Sequence, residues 1–540
     1  MKKSRLYFLP VFFIYLSVIR NAVAEVFTSM ADVENLVNKE RQILDIFRLL
    51  IKAEQEKISA IQNYIEEFTE TYDKQGVDPI KVVSHPVNAF LLVKHLSVDY
   101  GNLREYLKND FIGAALEDIE KIRSSTRFPE EEDIKGAAEG FVRLQRTYKI
   151  STENFSSGLI PGIAPARPMT SFECHLIGHR LALEKHHLHA ASWLEMALKK
   201  LKEGKETPKE QTKEIESLDW LQYSYHQLGN PYAALELSRK VKELDPNFPT
   251  VDSNVEFYTN MMKDMPENVL ETVKSQPRPP VLTDHGGAYE ALCRGEGILR
   301  PNVTKQLRCY YETYNNPVLR AQPVKIELAH VSPDIFVIHD VALVSQMERV
   351  KEVAMKHLQR ATVVKPGSVG TEFAKIRISK SAFLDEPADP VIATVNKRIA
   401  QVTNFDMKHA EHLQVANYGI GGHYNAHYDF FRNPNDPNTK QIEEHKGDRI
   451  ATLLMYMTDV EAGGATTFPS INVTLFPQKG SAAFWYNLYR DGKGDVRTLH
   501  EGCPVLAGNK WVSNKWIREV GQHVFRPCAL FKDSPNITDF

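Results

Sequence analysis

His427 and Asp429 stand two residues apart in His423-Tyr424-Asn425-Ala426-His427-Tyr428-Asp429, and His500 follows much later in Thr498-Leu499-His500. Residues two apart on a strand face the same way, so the first pair can grip one ion from a single strand. A histidine from a distant strand would complete a face of two imidazoles and one carboxylate. That set suits non-haem Fe(II) and leaves positions open for a cosubstrate and O₂. In a chain with 19 His, a His-x-Asp pair alone is a weak signal, and its companions must strengthen it.

The first companion is the run Gly508-Asn509-Lys510-Trp511-Val512-Ser513-Asn514-Lys515-Trp516-Ile517-Arg518, whose alternation reads as a β-strand. Lys510, Val512, Asn514, Trp516 and Arg518 then share one face, which puts a cation beside the iron. An open Fe(II) face and a nearby cation suit a dicarboxylate cosubstrate: two oxygens of a 2-oxo-acid end chelate the metal and the cation takes the far carboxylate. Lys510 is expected to be that cation. Arg518 lies about 26 Å further along an ideal strand at roughly 3.3 Å per residue, so it is expected to play a secondary, structural or field-tuning part.

The motifs Tyr418-Gly419-x-Gly421-Gly422-x-Tyr424-x-x-His427-x-Asp429, Gly463-Gly464-x-Thr466-x-Phe468-Pro469 and His500-x-Gly502-Cys503-Pro504-Val505-x-x-Gly508-x-Lys510-Trp511 resemble the catalytic domain of collagen prolyl 4-hydroxylase α subunits. So does Tyr289-Glu290-x-Leu292-Cys293-Arg294-Gly295-Glu296, and the similarity runs from about residue 28 to about 530. The resemblance implies a procollagen-proline 4-dioxygenase that uses Fe(II), 2-oxoglutarate, O₂ and L-ascorbate. Peptidyl proline in collagen-like chains would become 4-hydroxyproline as 2-oxoglutarate is decarboxylated to succinate and CO₂. Tyr418 would offer a phenol hydrogen bond to 2-oxoglutarate. Tyr424 and Trp516 are candidates for peptide contact at the mouth, or for ordinary barrel interior. The family also implies a disulfide-isomerase β subunit in an α2β2 tetramer. Rival readings are a lumenal oxygenase acting on another peptide residue, and a scaffold that binds proline-rich chains without turnover. The intact ligand set speaks against the second.

With 540 residues, three or so domains are expected, and a net charge of −3 gives no basic stripe for nucleic acid. Met1-Lys2-Lys3-Ser4-Arg5, the apolar stretch Leu6 to Ile19 and Ala22-Val23-Ala24 read as a signal peptide over residues 1–24. The expected location is the endoplasmic reticulum lumen. The chain shows no retention tetrapeptide in Asn536-Ile537-Thr538-Asp539-Phe540, so a partner is expected to hold it there. Asn154, Asn302 and Asn472 are candidate glycosylation sites, and Asn536 is a poor one beside Pro535. Of five cysteines, Cys293 with Cys309 and Cys503 with Cys528 are the economical pairs by sequence proximity, and the family resemblance supports them. Cys174 is then expected to remain a reduced helix cysteine.

The fold class expected is multidomain α+β. Residues 25–150 read as a helical dimerisation domain: Val37, Leu44, Ile51, Ile58, Ile65 and Tyr72 occupy one heptad position, and Val33, Phe47, Ile61 and Phe68 the other, interrupted by Glu40 and Glu54. Such a seam favours a coiled coil and self-association. Residues 171–265 read as tetratricopeptide-like helix pairs, the best repeat being Trp220-Leu221-x-x-Ser224-x-x-x-x-Leu228-Gly229-x-x-Tyr232-x-Ala234-Leu235. The resemblance makes this module a groove for proline-rich peptide, with Tyr223, Trp220 and Phe257 as aromatic contacts to an already ordered polyproline II helix. His226, His186, His187 and His189 stand in regions where relatives commonly carry tyrosine. Residues 266–323 read as a linker holding Cys293 and Cys309. Residues 324–530 read as the dioxygenase domain, a double-stranded β-helix of the jelly-roll kind.

Overall fold

The computed structural model describes residues 26–51, 69, 79–99, 101, 113–125, 128–204, 213–275, 287–364, 371–373, 377–431 and 446–530. The expected signal peptide, the seam residues Glu54, Ile58, Ile61, Ile65, Phe68 and Tyr72, and Asn536 lie outside these residues. No helix among the described residues is long and apolar enough to cross a membrane.

The heptad residues begin one helix, α1 (Met30–Ile51), in which Val33, Val37, Leu44 and Phe47 are buried. Their cover comes from this same chain. Helices α2 (Pro86–Lys94) and α3 (Glu131–Tyr148) close one core with them. Glu40, the polar interruption, is buried as well and faces His95, Oε1 to Nε2 at 2.5 Å, so the break finds a partner within the same chain. The acidic first turn of α3 suits a helix N-terminus. Its Asp133 accepts from the backbone N–H of Glu130 at 2.9 Å and from that of Phe27 at 3.2 Å.

The helix pairs follow as expected: α4 (Ser171–Leu183), α5 (His187–Glu203), α6 (Glu214–Gln227), α7 (Pro231–Leu244) and α8 (Val251–Lys263). A Thr170–Glu173 capping box starts α4, left-handed Gly204 follows α5, and Asn230-Pro231 starts α7. Trp193 on α5 is buried against Phe141 and donates its Nε1–H to Gln145 at 3.1 Å, which ties the module to α3.

Residues 266–323 are more than a linker. They supply α9 (Ala288–Cys293) and the edge strand β1 (Cys309–Glu312) of the sheet that follows. The later strands of the two larger sheets are β2 (Val324–His330), β3 (Ile335–His339), β4 (Gln359–Arg360), β5 (Ser379–Leu384), β6 (Leu413–Tyr418), β7 (Tyr424–His427), β8 (Arg449–Tyr456), β9 (Thr466–Phe468), β10 (Val473–Leu475), β11 (Ala482–Tyr486), β12 (His500–Gly502) and β13 (Trp511–Arg518). Nine strands form a sheet in the order β1-β2-β3-β11-β8-β13-β6-β5-β4, and four form a smaller one, β10-β9-β12-β7. Helices α10 (Val344–Met355) and α11 (Pro390–Thr403) cover the outer face of the large sheet. Tyr418, Leu454, Tyr456, Phe468, Trp485 and Val512 from both sheets share an interior cluster.

Candidate active site

Antiparallel pairing of β12 with β7 sets His500 directly opposite His427. β7 ends at His427, so Asp429 lies just past the strand, yet one ligand atom from each of the three residues falls within 4.8 Å of the others. His427 Nε2 is 3.9 Å from Asp429 Oδ1, and His500 Nε2 is 3.7 Å from Asp429 Oδ2. The far nitrogen of each ring meets a backbone carbonyl: His427 Nδ1 with Asn425 at 2.8 Å and His500 Nδ1 with Thr498 at 3.0 Å. Donation from Nδ1 leaves the Nε2 lone pairs aimed inward. Burial lowers His427 to about 3, which keeps its imidazole neutral as ligation requires. Burial opposes the charge of Asp429, but His500, His427 and Arg449 together with a hydrogen bond from Thr452 hold its carboxyl below the usual range. Thr452 donates to Oδ2 at 2.7 Å and itself accepts from Asn487 Nδ2 at 2.9 Å, so the carboxylate is oriented from behind. Two imidazoles and one oriented carboxylate fit Fe(II).

The same cavity is lined by Tyr418, Tyr424, Val512, Asn514, Trp516 and Lys510 among others, so the alternation read in β13 does aim one face inward. Lys510 is 2% exposed, and burial lowers its pKa to about 7. Its Nζ lies 4.8 Å from the centre of the Tyr418 ring. Burial also raises the Tyr418 phenol above its ordinary value, which keeps its proton available for donation. Arg518 is not part of this cavity. It pairs with Glu411 at 2.9 Å and donates to the Gly447 carbonyl at 2.8 Å.

Three functional neighbours escaped the sequence reading. Arg449 forks onto Glu411 at 2.7 and 2.8 Å, and its guanidinium sits 3.7 Å from the Trp516 ring centre. Arg377 lies 4.6 Å from the centre of Tyr424, which in turn stacks on His427 with centroids 3.6 Å apart. Thr452 is the third. The one available signal was an arginine opening the otherwise apolar run of β8; Arg377 and Thr452 carry no spacing that marks them.

The groove candidates sit in the helix-pair module, apart from the iron-ligand set. Tyr223 and Phe257 are exposed, at 37% and 52%, and Trp220 meets Tyr223 edge-on with centroids 5.9 Å apart. Histidines extend the track: His179 is 4.3 Å from Trp220 and His226 is 5.4 Å from Phe257.

The expected disulfides are corrected. Cys293 bonds to Cys503, with Cα atoms 5.6 Å apart, whereas Cys309 and Cys528 are exposed and unbonded. Proximity in sequence misled because α9 packs on β9 and β10, where Thr474 donates to the Leu292 carbonyl at 3.0 Å. That brings Cys293 to the residue following β12, while Cys309 begins an edge strand of the other, larger sheet. Cys174 is buried and takes part in no disulfide, as expected. Asn302 and Asn472 are exposed, and Asn154 is half-buried.

Residues 29–162 match the family described as prolyl 4-hydroxylase alpha-subunit, N-terminal region; residues 172–264 match the prolyl 4-hydroxylase peptide-substrate-binding domain; residues 413–518 match the 2OG-Fe(II) oxygenase superfamily. The chain is 39% identical over 531 residues to prolyl 4-hydroxylase subunit alpha-2 of Gallus gallus, covering 96% of this chain and 98% of that one. It is 38% identical over 515 residues to subunit alpha-2 of Caenorhabditis elegans, covering 94% of each. Subunit alpha-1 of Homo sapiens is 38% identical over 516 residues, 93% of this chain and 95% of that one.

Proposed function

The chain belongs to the prolyl 4-hydroxylase α-subunit family, and on that premise we propose that His427, Asp429 and His500 hold the Fe(II) with which it converts peptidyl proline to 4-hydroxyproline in collagen-like chains. The observation that carries the site assignment is one cavity holding three convergent ligand atoms and the buried cation of Lys510. When bound, Fe(II) supplies the O₂ chemistry that couples decarboxylation of 2-oxoglutarate to succinate and CO₂ with proline hydroxylation, and L-ascorbate accompanies it as reductant. The protein's own groups position and exclude. Lys510 takes the distal carboxylate of 2-oxoglutarate, and the Tyr418 phenol donates a second hydrogen bond to it. Thr452 fixes the Asp429 carboxylate through Oδ2. Tyr424, braced by Arg377, and Trp516, braced by Arg449, flank the metal position as walls for the proline ring. Arg518 serves Glu411 and only indirectly the site. We read the two sheets as the halves of a double-stranded β-helix.

Proline-rich peptide is engaged by the helix-pair module, where Trp220, Tyr223 and Phe257 offer flat apolar faces to a polyproline II helix. At the level of assembly, the proposed partner is a disulfide-isomerase β subunit in an α2β2 tetramer. The seam beyond α1 is the proposed self-association element, because the earlier seam is already covered within the chain. The proposed location is the endoplasmic reticulum lumen after removal of residues 1–24, with glycans at Asn302, Asn472 and Asn154. Incubating the partner-assembled protein with a (Pro-Pro-Gly) repeat and 2-oxoglutarate tests the activity. Succinate and 4-hydroxyproline should appear together; succinate without hydroxyproline on this peptide would redirect the reading to another residue.

A further inference from the structure

Asn417 lies on β6 with its neighbour Tyr418 facing the cavity, so its own side chain points to the other face. It is fully buried there and reaches a segment 388 residues earlier in the chain as well as the loop before β13. Its Oδ1 accepts from Ser29 Oγ at 2.7 Å and from the Ala31 backbone N–H at 2.9 Å. Its Nδ2 donates to Asn509 Oδ1 at 2.7 Å and to the Lys510 carbonyl at 3.2 Å. The Lys510 carbonyl also receives the Tyr418 backbone N–H at 3.2 Å, so two donors from adjacent residues fix one peptide unit. The N-terminal segment of this network is itself fastened: Ile420 N–H donates to the Phe27 carbonyl at 3.0 Å, and Ser29 is fully buried. Lys510 sits just before β13, where an unsupported loop would let its long side chain wander. Every polar atom of the Asn417 amide is used, and three of the four bonds are enclosed, where losing one costs more than at a wet surface.

We propose that Asn417 is a positioning residue for Lys510, and that the segment from Phe27 to Ala31 is part of the 2-oxoglutarate site although it touches no substrate. The proposal rests on Lys510 being the residue that takes the distal carboxylate. Asn417→Asp keeps the acceptor for Ser29 and Ala31 but removes the donor to Asn509 and Lys510, so it isolates the positioning half of the amide. Ser29→Ala removes one fastening of the same side chain without entering the cavity. Calorimetric titration of 2-oxoglutarate into the Mn(II)-loaded, partner-assembled protein reads the effect without turnover. Asn417→Asp should weaken 2-oxoglutarate about tenfold and Ser29→Ala about threefold, with Mn(II) and proline-rich peptide binding unchanged, as expected for a lost enclosed hydrogen bond. In kinetics the KM for 2-oxoglutarate should rise while kcat holds. Lys510→Ala, measured alongside, separates the two layers. If it weakens 2-oxoglutarate and Asn417→Asp does not, Asn417 is merely structural and the proposal is overturned with the Lys510 assignment intact. If Lys510→Ala leaves binding unchanged, the assignment itself fails and takes the proposal with it. Should Asn417→Asp not accumulate, an unchanged affinity in Ser29→Ala overturns the proposal by itself.

Discussion

Burial lowers Lys510 to about 7, so around neutral pH the free protein divides between charged and uncharged amine at the position where a carboxylate must bind. A bound carboxylate favours the charged form and raises that pKa again. Below about 7 the cation is already present; above it, binding must take up a proton. The affinity for 2-oxoglutarate is therefore expected to fall as pH rises past 7, approaching about tenfold per pH unit for one coupled proton. Lys510→Arg should flatten the profile, since a guanidinium stays charged throughout, and calorimetry from pH 6 to 9 checks both. Lys510→Ala should raise the KM for 2-oxoglutarate by about a hundredfold, the order of a lost charge-assisted pair. Arg518→His should raise it only modestly, because Glu411 keeps Arg449 on both oxygens. An Arg518 effect exceeding that of Lys510 would exchange the two roles. The ligands were legible because type and spacing both had to be right. Arg449, Arg377 and Thr452 were not, because their partners come from distant strands and no local period records them.

Periodicity tells which face of an element must be covered and leaves open what covers it. The seam of α1 was correctly an apolar stripe, but α2 and α3 of this same chain take its first four described positions. Glu40 looked like a flaw in the seam and is instead the partner of His95. The cysteines give the same lesson, since neighbours along the chain were separated by the sheet and Cys293 found Cys503 across 210 residues. Non-reducing peptide mapping should therefore recover a Cys293–Cys503 peptide, and a Cys293–Cys309 peptide in its place would contradict the arrangement. Cys503→Ser is expected to cost about 2–5 kcal/mol of stability, read as a lowered Tm, because α9 is then held to the small sheet by contacts alone. The strand after Lys510 was easier to read, since β13 carries Val512, Asn514 and Trp516 on one alternating face toward the cavity.

At the scale of the molecule, the helical domain and the β-rich domain are one packed body. Ile378, Ile420 and Leu506 of the β-rich domain lie in the same core as α1 and α3. Arg143 on α3 donates to the Gly421 carbonyl at 3.1 Å, and Tyr148 to that of Pro504 at 2.6 Å, so the turns on either side of the ligand strands are gripped from outside. Residues 287–530 expressed alone should consequently aggregate or fail to accumulate, and a monodisperse, fully active fragment would refute that dependence. This union was invisible in the sequence, where domain boundaries show as Pro/Gly segments but surfaces shared between domains leave no mark. All of these parts converge on one site, where three ligand atoms meet Lys510. Anaerobic addition of Fe(II) and 2-oxoglutarate to the assembled protein should give the visible charge-transfer band of an Fe(II)–2-oxo-acid chelate. Asp429→Ala should abolish the band, and Lys510→Ala should form it only at far higher 2-oxoglutarate. An undiminished band in Asp429→Ala, or an unaltered 2-oxoglutarate dependence in Lys510→Ala, would contradict the assignment.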